Sequence, residues 1–135
     1  IIDGKSQRTF AYPCGDMQIG GVSYVDVVKE NFAGARSTET RLETINDVDL
    51  YNIGCFMING ESGAELIDLA KTALKNKALI VFLFHGVGGE HNINVSLEAH
   101  NQLVNFLKQN EKDIWIAPLA EIAKYIVNYR GKIGK

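Results

Sequence analysis

The side chain best placed for chemistry is His85, which follows the apolar run ALIVFLF at residues 78–84. An imidazole titrates near neutral pH, so it can give or take a proton during a reaction. Residues just past the carboxyl end of a parallel strand line the active face of α/β proteins. The position fits a general acid or base, and it fits equally a histidine that only bonds a neighbouring carbonyl.

The glycine-rich stretch GVGGEH at residues 86–91 comes directly after His85. It does not match a dinucleotide-binding loop, because His91 occupies the third glycine position and no helix begins at once. We expect these glycines to form the flexible rim of a site. The spacing of His85, Glu90 and His91 matches no standard zinc pattern, so we expect His91 to be a solvated loop side chain. His100 is expected on a helix surface.

Three further charged residues are candidates for the same chemistry. Arg36 ends the stretch FAGAR, where a short strand could reach the active face; the alternative is a solvated or ion-paired loop arginine. Asp47 and Asp49 are candidate carboxylates, although aspartate is also common in turns. An acid–base role would require one of them to lie near His85.

The elements that must position these residues alternate along the chain. Strand-like stretches are predicted at residues 8–15, 35–37, 51–58, 78–84 and 113–117, and helices at 22–32, 62–76, 97–110 and 118–129. Alternation of this kind predicts βαβ crossovers and a parallel sheet or barrel. The strands are too few to close an eight-stranded barrel, which takes roughly 250 residues. We therefore predict one domain, residues 1–135, with the α/β architecture of half a barrel.

Local signals support several of these elements. Ser62 and Glu65 have the spacing of a capping box, and Ser96 is a candidate N-cap. Pro118 suits the first turn of the last helix. The continuous apolar run at 78–84 predicts a strand that is covered on both faces, as in parallel sheets.

The composition limits the classes of partner. The chain is 46% hydrophobic and 22% charged, with a net charge of −2, which is typical of a globular protein and gives no electrostatic case for nucleic acid. No apolar run approaches the roughly 18 residues of a membrane span. Cys14 and Cys55 could be a pair or two free thiols, and we expect both to be small buried core residues.

Four stretches in order, TFAYPCGD (9–16), GAR (34–36), LIVFLFHGVGG (79–89) and IWIAPLAEIAKYI (114–126), resemble the C-terminal half of a polysaccharide deacetylase of the NodB type. The resemblance implies an incomplete (β/α) barrel that removes acetyl groups from sugars with one divalent metal, zinc being favoured. In this family an aspartate and two histidines hold the metal, and a second aspartate activates its water.

The resemblance also implies roles for individual residues. His85 would be the general acid that protonates the leaving group, and Leu83 would help to shape the acetyl pocket. The turn at Tyr12, Pro13 and Cys14 would contact the substrate, with the backbone N–H of Cys14 as the oxyanion donor.

Several family features differ or are missing. The usual arginine of the AYPCG motif is Ala11 here, and Arg36 is the candidate that replaces it. Cys14 stands where an aromatic residue is usual. The aspartate–tryptophan motif is not recognisable, and Asp49 is a weak candidate for tuning His85. The family's Asp-Asp and His-x-x-x-His metal motifs do not occur, so we expect this chain alone to bind no catalytic metal and to be inactive.

The resemblance sets the remaining expectations. It implies a secreted, periplasmic or cell-envelope protein that binds an acetylated polysaccharide or oligosaccharide and pairs with a missing N-terminal half or another copy. A non-catalytic carbohydrate-binding or interaction module on the same scaffold is the alternative. An unrelated flavodoxin-like binding domain is a third possibility, which a ligand pocket on a strand other than that of His85 would favour.

Overall fold

The computed structural model describes residues 7–133, which form a mixed α/β fold of short strands and helices. The strands are β1 (Thr9–Ala11), β2 (Gln18–Ile19), β3 (Val22–Ser23), β4 (Gly34–Arg36), β5 (Glu43–Thr44), β6 (Phe56–Ile58), β7 (Ala78–Leu79) and β8 (Phe82–Phe84). The α-helices are α1 (Val25–Asn31), α2 (Gly63–Lys75), α3 (Leu97–Gln109) and α4 (Leu119–Ile133), and a 3₁₀ turn spans Pro13–Gly15.

Two parallel βαβ units organise the described part of the chain. Strand β1 pairs with β4 across helix α1, and β6 pairs with β8 across helix α2. An isolated parallel bridge between Arg36 and Ile53 links the two units. Neighbouring parallel strands thus follow chain order, and their carboxyl ends point the same way. Within residues 7–133 the strands form two-stranded sheets and no closed barrel, so the partial barrel stays a prediction.

The remaining strands are antiparallel and were not anticipated. Strands β2 and β3 form a hairpin whose turn, Gly20 and Gly21, has positive φ at both residues. The predicted helix at 22–32 therefore begins only at Val25. Strand β7 pairs with β5 instead of continuing into β8.

The apolar run 78–84 is thus divided into two short strands, and the prediction that it is covered on both faces was wrong. All seven of its residues are partly exposed. Phe82 and Phe84 pack against the core between α2 and α3. Leu83 alternates to the other face, where its register partner Met57 is 48% exposed. One face of this strand pair is therefore open to solvent.

Helix α4 packs against strand β4 and the segment that precedes β6. Its residue Ile126 joins a core cluster with Val48 and Ile53. The guanidinium of Arg130 donates hydrogen bonds to the carbonyls of Ile45 and Val48, at 2.9 and 2.8 Å. These hydrogen bonds connect the last helix to the loop that precedes β6.

Two predicted caps are confirmed, and two other predictions were wrong. Ser62 and Glu65 form a reciprocal capping box, and the Ser96 side chain caps α3. Residues 113–117 pair with none of the described strands and form no strand themselves, because the N–H groups of Asp113 and Ile114 instead donate to the Asn110 carbonyl at 3.0 and 2.9 Å. Cys55 is a buried free thiol as expected, but Cys14 is exposed on its turn.

Within residues 7–133, no helix has both the length and the apolar character needed to cross a bilayer. The predicted absence of a membrane-spanning helix therefore agrees with the described part of the chain.

Candidate functional site

His85 lies at the carboxyl end of the inner strand pair. It follows Phe84, which pairs in register with Ile58 of β6, and its own side chain is exposed. Because side chains alternate along a strand, Leu83 and Met57 lie together on the face opposite the α2–α3 core. An exposed imidazole thus ends a strand whose open face is apolar.

The sequence did not anticipate a second imidazole beside the first. The rings of His85 and His91 are nearly parallel, with an interplanar angle of 13° and centroids 5.0 Å apart. The only sequence signal for His91 was its place in the glycine-rich stretch, which does not show whether the chain folds back.

The glycine-rich loop that carries His91 is compact. The N–H of Gly88 donates to the Val95 carbonyl at 2.8 Å, and the N–H of Val95 donates to the Gly86 carbonyl at 3.1 Å. A side chain at Gly86 would come within 2.7 Å of the Gly89 carbonyl oxygen, so the loop requires glycine there. This close approach brings the loop back towards His85.

A second group of residues lies beyond the carboxyl end of β1, at the Pro13–Gly15 turn. Cys14 has a φ of 54°, and Gly15 packs so closely on Thr38 that a side chain would collide with it. Among residues 7–133, the backbone N–H of Cys14 has no hydrogen-bond acceptor. Pro13 and Cys14 are both exposed, so this donor is available to a ligand.

Arg36 pairs with Ala11, just before this turn, and its side chain lies beside Cys55. The Arg36 guanidinium donates to the Ser37 carbonyl at 3.3 Å, and the Cys55 thiol donates to the same carbonyl at 3.3 Å. Burial raises the pKa of the Cys55 thiol, and the neighbouring Arg36 charge only partly opposes this shift. The pair is therefore a neutral thiol next to a partly exposed guanidinium.

Arg36 and His85 do not lie together. Arg36 bridges to Ile53, whereas the residue before His85 pairs with Ile58, five residues further along the same chain segment. Five extended residues span about 16 Å, so the two side chains occupy different levels of the strands.

Asp49 also lies apart from His85. Its carboxylate accepts a hydrogen bond from the Tyr51 N–H at 2.8 Å, the geometry of a turn. It directly precedes Leu50, whose carbonyl accepts from Ala35 at the middle of β4. Asp49 is therefore placed towards the amino ends of the strands, where it cannot tune His85. Asp47 accepts from the Thr44 hydroxyl at 2.6 Å and also belongs to a turn.

Tyr12 belongs to the core and does not face a ligand. Its side chain is 1% exposed, and its hydroxyl donates to the Tyr51 carbonyl at 3.0 Å. Burial raises the pKa of this phenol, with smaller contributions from Tyr24 and Asp49. Of the predicted substrate contacts, Pro13, Cys14 and Leu83 are the ones with exposed atoms.

No metal-binding set was located in the described part of the chain: residues 7–133 contain no cluster of three or more histidine, cysteine, aspartate or glutamate side chains arranged around one point. The groups available for chemistry are the His85 imidazole, the free Cys14 N–H and the apolar wall of Leu83 and Met57.

A cavity of about 420 Å³ lies elsewhere, between α2, α4 and residues 113–117. None of the predicted site residues line it. Its walls include residues 78–80 and Phe82, from the apolar run that leads to His85.

Comparisons with models of known protein families, with curated proteins and with solved structures found no match to this chain. The resemblance to polysaccharide deacetylases therefore rests on the ordered sequence motifs.

Proposed function

We propose that this chain supplies the acid half of the active site of a metal-dependent polysaccharide deacetylase. The observation that carries the proposal is the placement of His85, exposed at the carboxyl end of β8 next to the apolar face of Leu83 and Met57. This arrangement offers a proton donor beside a surface that suits a methyl group.

The proposed role of His85 is protonation of the leaving group. When the tetrahedral intermediate collapses, the bond between the acetyl carbon and the sugar nitrogen or oxygen breaks. His85 gives its proton to that atom, and the products are acetate and a free amine or hydroxyl. We further propose that the unpaired N–H of Cys14, on the turn that follows the carboxyl end of β1, donates to the oxyanion.

The residues present do not fit the metal that the resemblance implies. A divalent ion such as zinc would lower the pKa of its bound water when present. Residues 7–133 offer no ligand set for it. We therefore propose that the metal ligands and the base come from residues outside this chain, in a secreted or cell-envelope protein whose other half, or another copy, completes the site.

Acetate release by the longest natural polypeptide that contains these residues tests the proposal. We expect release from at least one acetylated polysaccharide, and a loss of about 100-fold or more in kcat for His85→Ala. His100→Ala is the matched control, because this histidine is partly exposed on α3 and packs on Phe84 instead of facing the open strand face. Unchanged activity of His85→Ala would overturn the proposal.

A carbohydrate-binding module without catalysis is the second candidate, and one observation favours it. Trp115 and Tyr125 are about half exposed and meet edge to face at 5.2 Å, and Tyr129 stacks on Tyr125 at 6.3 Å. Exposed aromatic rows provide apolar faces on which sugars can lie. Oligosaccharide binding that Trp115→Ala abolishes and His85→Ala leaves intact, without acetate release, would support this candidate.

A further inference from the structure

We propose that His91 is a positioning residue, which holds the ring of His85 in place by stacking against it. The inference rests on the proposed role of His85 as the proton donor. His91 itself exchanges no proton with the substrate in this scheme.

The first support is the geometry of the two rings. Their planes differ by 13° and their centroids are 5.0 Å apart, within the range of favourable offset aromatic pairs. A parallel ring at this distance restricts rotation of its neighbour about χ2, the torsion that sets where the imidazole nitrogens point.

The second support is that, in the described part of the chain, no hydrogen bond orients the His85 side chain. Within residues 7–133 its side chain makes no hydrogen bond, and it is exposed to solvent. Catalytic histidines are usually oriented by a partner on the second ring nitrogen. Here the stacked ring of His91 is the contact that can supply this orientation.

The third support is that His91 is itself held by its loop. Its Nδ1 lies 3.0 Å from the Ile93 backbone nitrogen, which can donate to it, and the Asn94 amide donates to the His91 carbonyl at 2.7 Å. A parallel bridge between Val87 and Val95 closes the loop at its base. A ring fixed in this way can hold a second ring, whereas a freely rotating one cannot.

Two variants separate stacking from the alternatives. His91→Phe keeps a flat ring but has no nitrogen, and His91→Asn keeps a polar group but has no ring. We measure kcat and KM for acetate release by the natural polypeptide, and the order of the His85 ring C–H groups by NMR relaxation in the 135-residue chain.

We expect His91→Asn to lower kcat about 3- to 10-fold, with KM changed by less than about 2-fold, and to increase the motion of the His85 ring. His91→Phe should restore both towards wild type. Amide spectra away from residues 85–95 should be unchanged in both variants, which separates positioning from a loss of folding.

The proposal is overturned if His91→Asn leaves the order of the His85 ring unchanged, or if it preserves kcat and His91→Phe does not. The second result would show that a polar group at this position, not a ring, is what matters. A wild-type polypeptide that releases no acetate would contradict the proposed function, while the NMR comparison would still decide whether His91 orders His85.

Discussion

At the scale of single residues, Cys55 and Cys14 show how position decides the behaviour of a side chain. Both are free thiols, but Cys55 is completely buried beside Arg36, whereas Cys14 is exposed on a turn. Each cysteine has apolar neighbours in the sequence and is itself small enough for a core position, so the burial of Cys55 could be predicted. The exposure of Cys14 could not, since it depends on the φ of 54° that turns the chain outwards.

The buried thiol predicts a loss of stability at alkaline pH. Burial raises the pKa of Cys55 above its ordinary value of about 8.5. Below that value the thiol is protonated in both states, so its contribution to stability is fully present. As the pH rises further, the unfolded thiol ionises first, and the free energy of unfolding falls until the folded pKa is passed.

Urea unfolding between pH 7 and 10 measures this effect. We expect the decline in the free energy of unfolding above about pH 8.5 to be shallower in Cys55→Ala than in wild type. Cys14→Ser, which removes the exposed thiol, should keep the wild-type slope. Equal slopes in wild type and Cys55→Ala would show that burial does not perturb this thiol.

At the scale of elements, the helices were more predictable than the strands. The spacing of Ser62 and Glu65 fixes where α2 begins, because a capping box needs only local backbone groups. The apolar run 78–84 contains no comparable local signal for its division. Its two halves separate because each finds a different partner, β5 or β6, and pairing partners are distant in sequence.

The backbone just after helix α2 predicts a stabilising substitution. Lys77 follows the helix with a φ of 50°, in the left-handed region that favours glycine. We expect Lys77→Gly to raise the free energy of unfolding by about 0.5 kcal/mol, since relief of this strain exceeds the added entropy of the unfolded chain.

Chemical denaturation measures the effect of Lys77→Gly, and Lys75→Gly is the control two residues earlier. Lys75 is the last residue of α2 and has no positive φ, so glycine there should lower the free energy of unfolding by up to about 1 kcal/mol. Destabilisation of similar size by both substitutions would mean that the conformation of Lys77 is not strained.

At the scale of the whole molecule, the described chain leaves apolar surface uncovered. Trp115 is 55% exposed and Ile116 is 59% exposed, both in the segment 113–117 that was predicted to be a strand. Met57 is exposed on the open face of β6. Surfaces of this kind mark contacts with other polypeptide. They are where the proposed missing half, or another copy, would bind.

This surface predicts concentration-dependent self-association of the isolated chain. We expect sedimentation equilibrium to give a mass that rises above the monomer value of 14.9 kDa, and Ile116→Asp to return it to that value. Val27→Asp, on the exposed side of α1, should associate like wild type. A wild-type chain that stays monomeric at all concentrations would contradict this expectation.

The candidate site was predictable only in part. The position of His85 after an apolar run was enough to select it, because strand ends are local features. The stacking of His91 and the separation of Arg36 from His85 depend on how the loop folds back and on strand register. Neither is encoded in spacing along the chain.

The central claim is that His85 acts as the general acid. The most direct test is whether the loss of kcat in His85→Ala depends on the leaving group of the substrate. In the natural polypeptide, kcat of wild type and His85→Ala is compared on an N-acetylated sugar and on an aryl acetate, whose leaving group departs without a proton. We predict a loss of about 100-fold or more on the N-acetylated sugar and only a few-fold loss on the aryl acetate. Equal losses on the two substrates would contradict proton donation by His85.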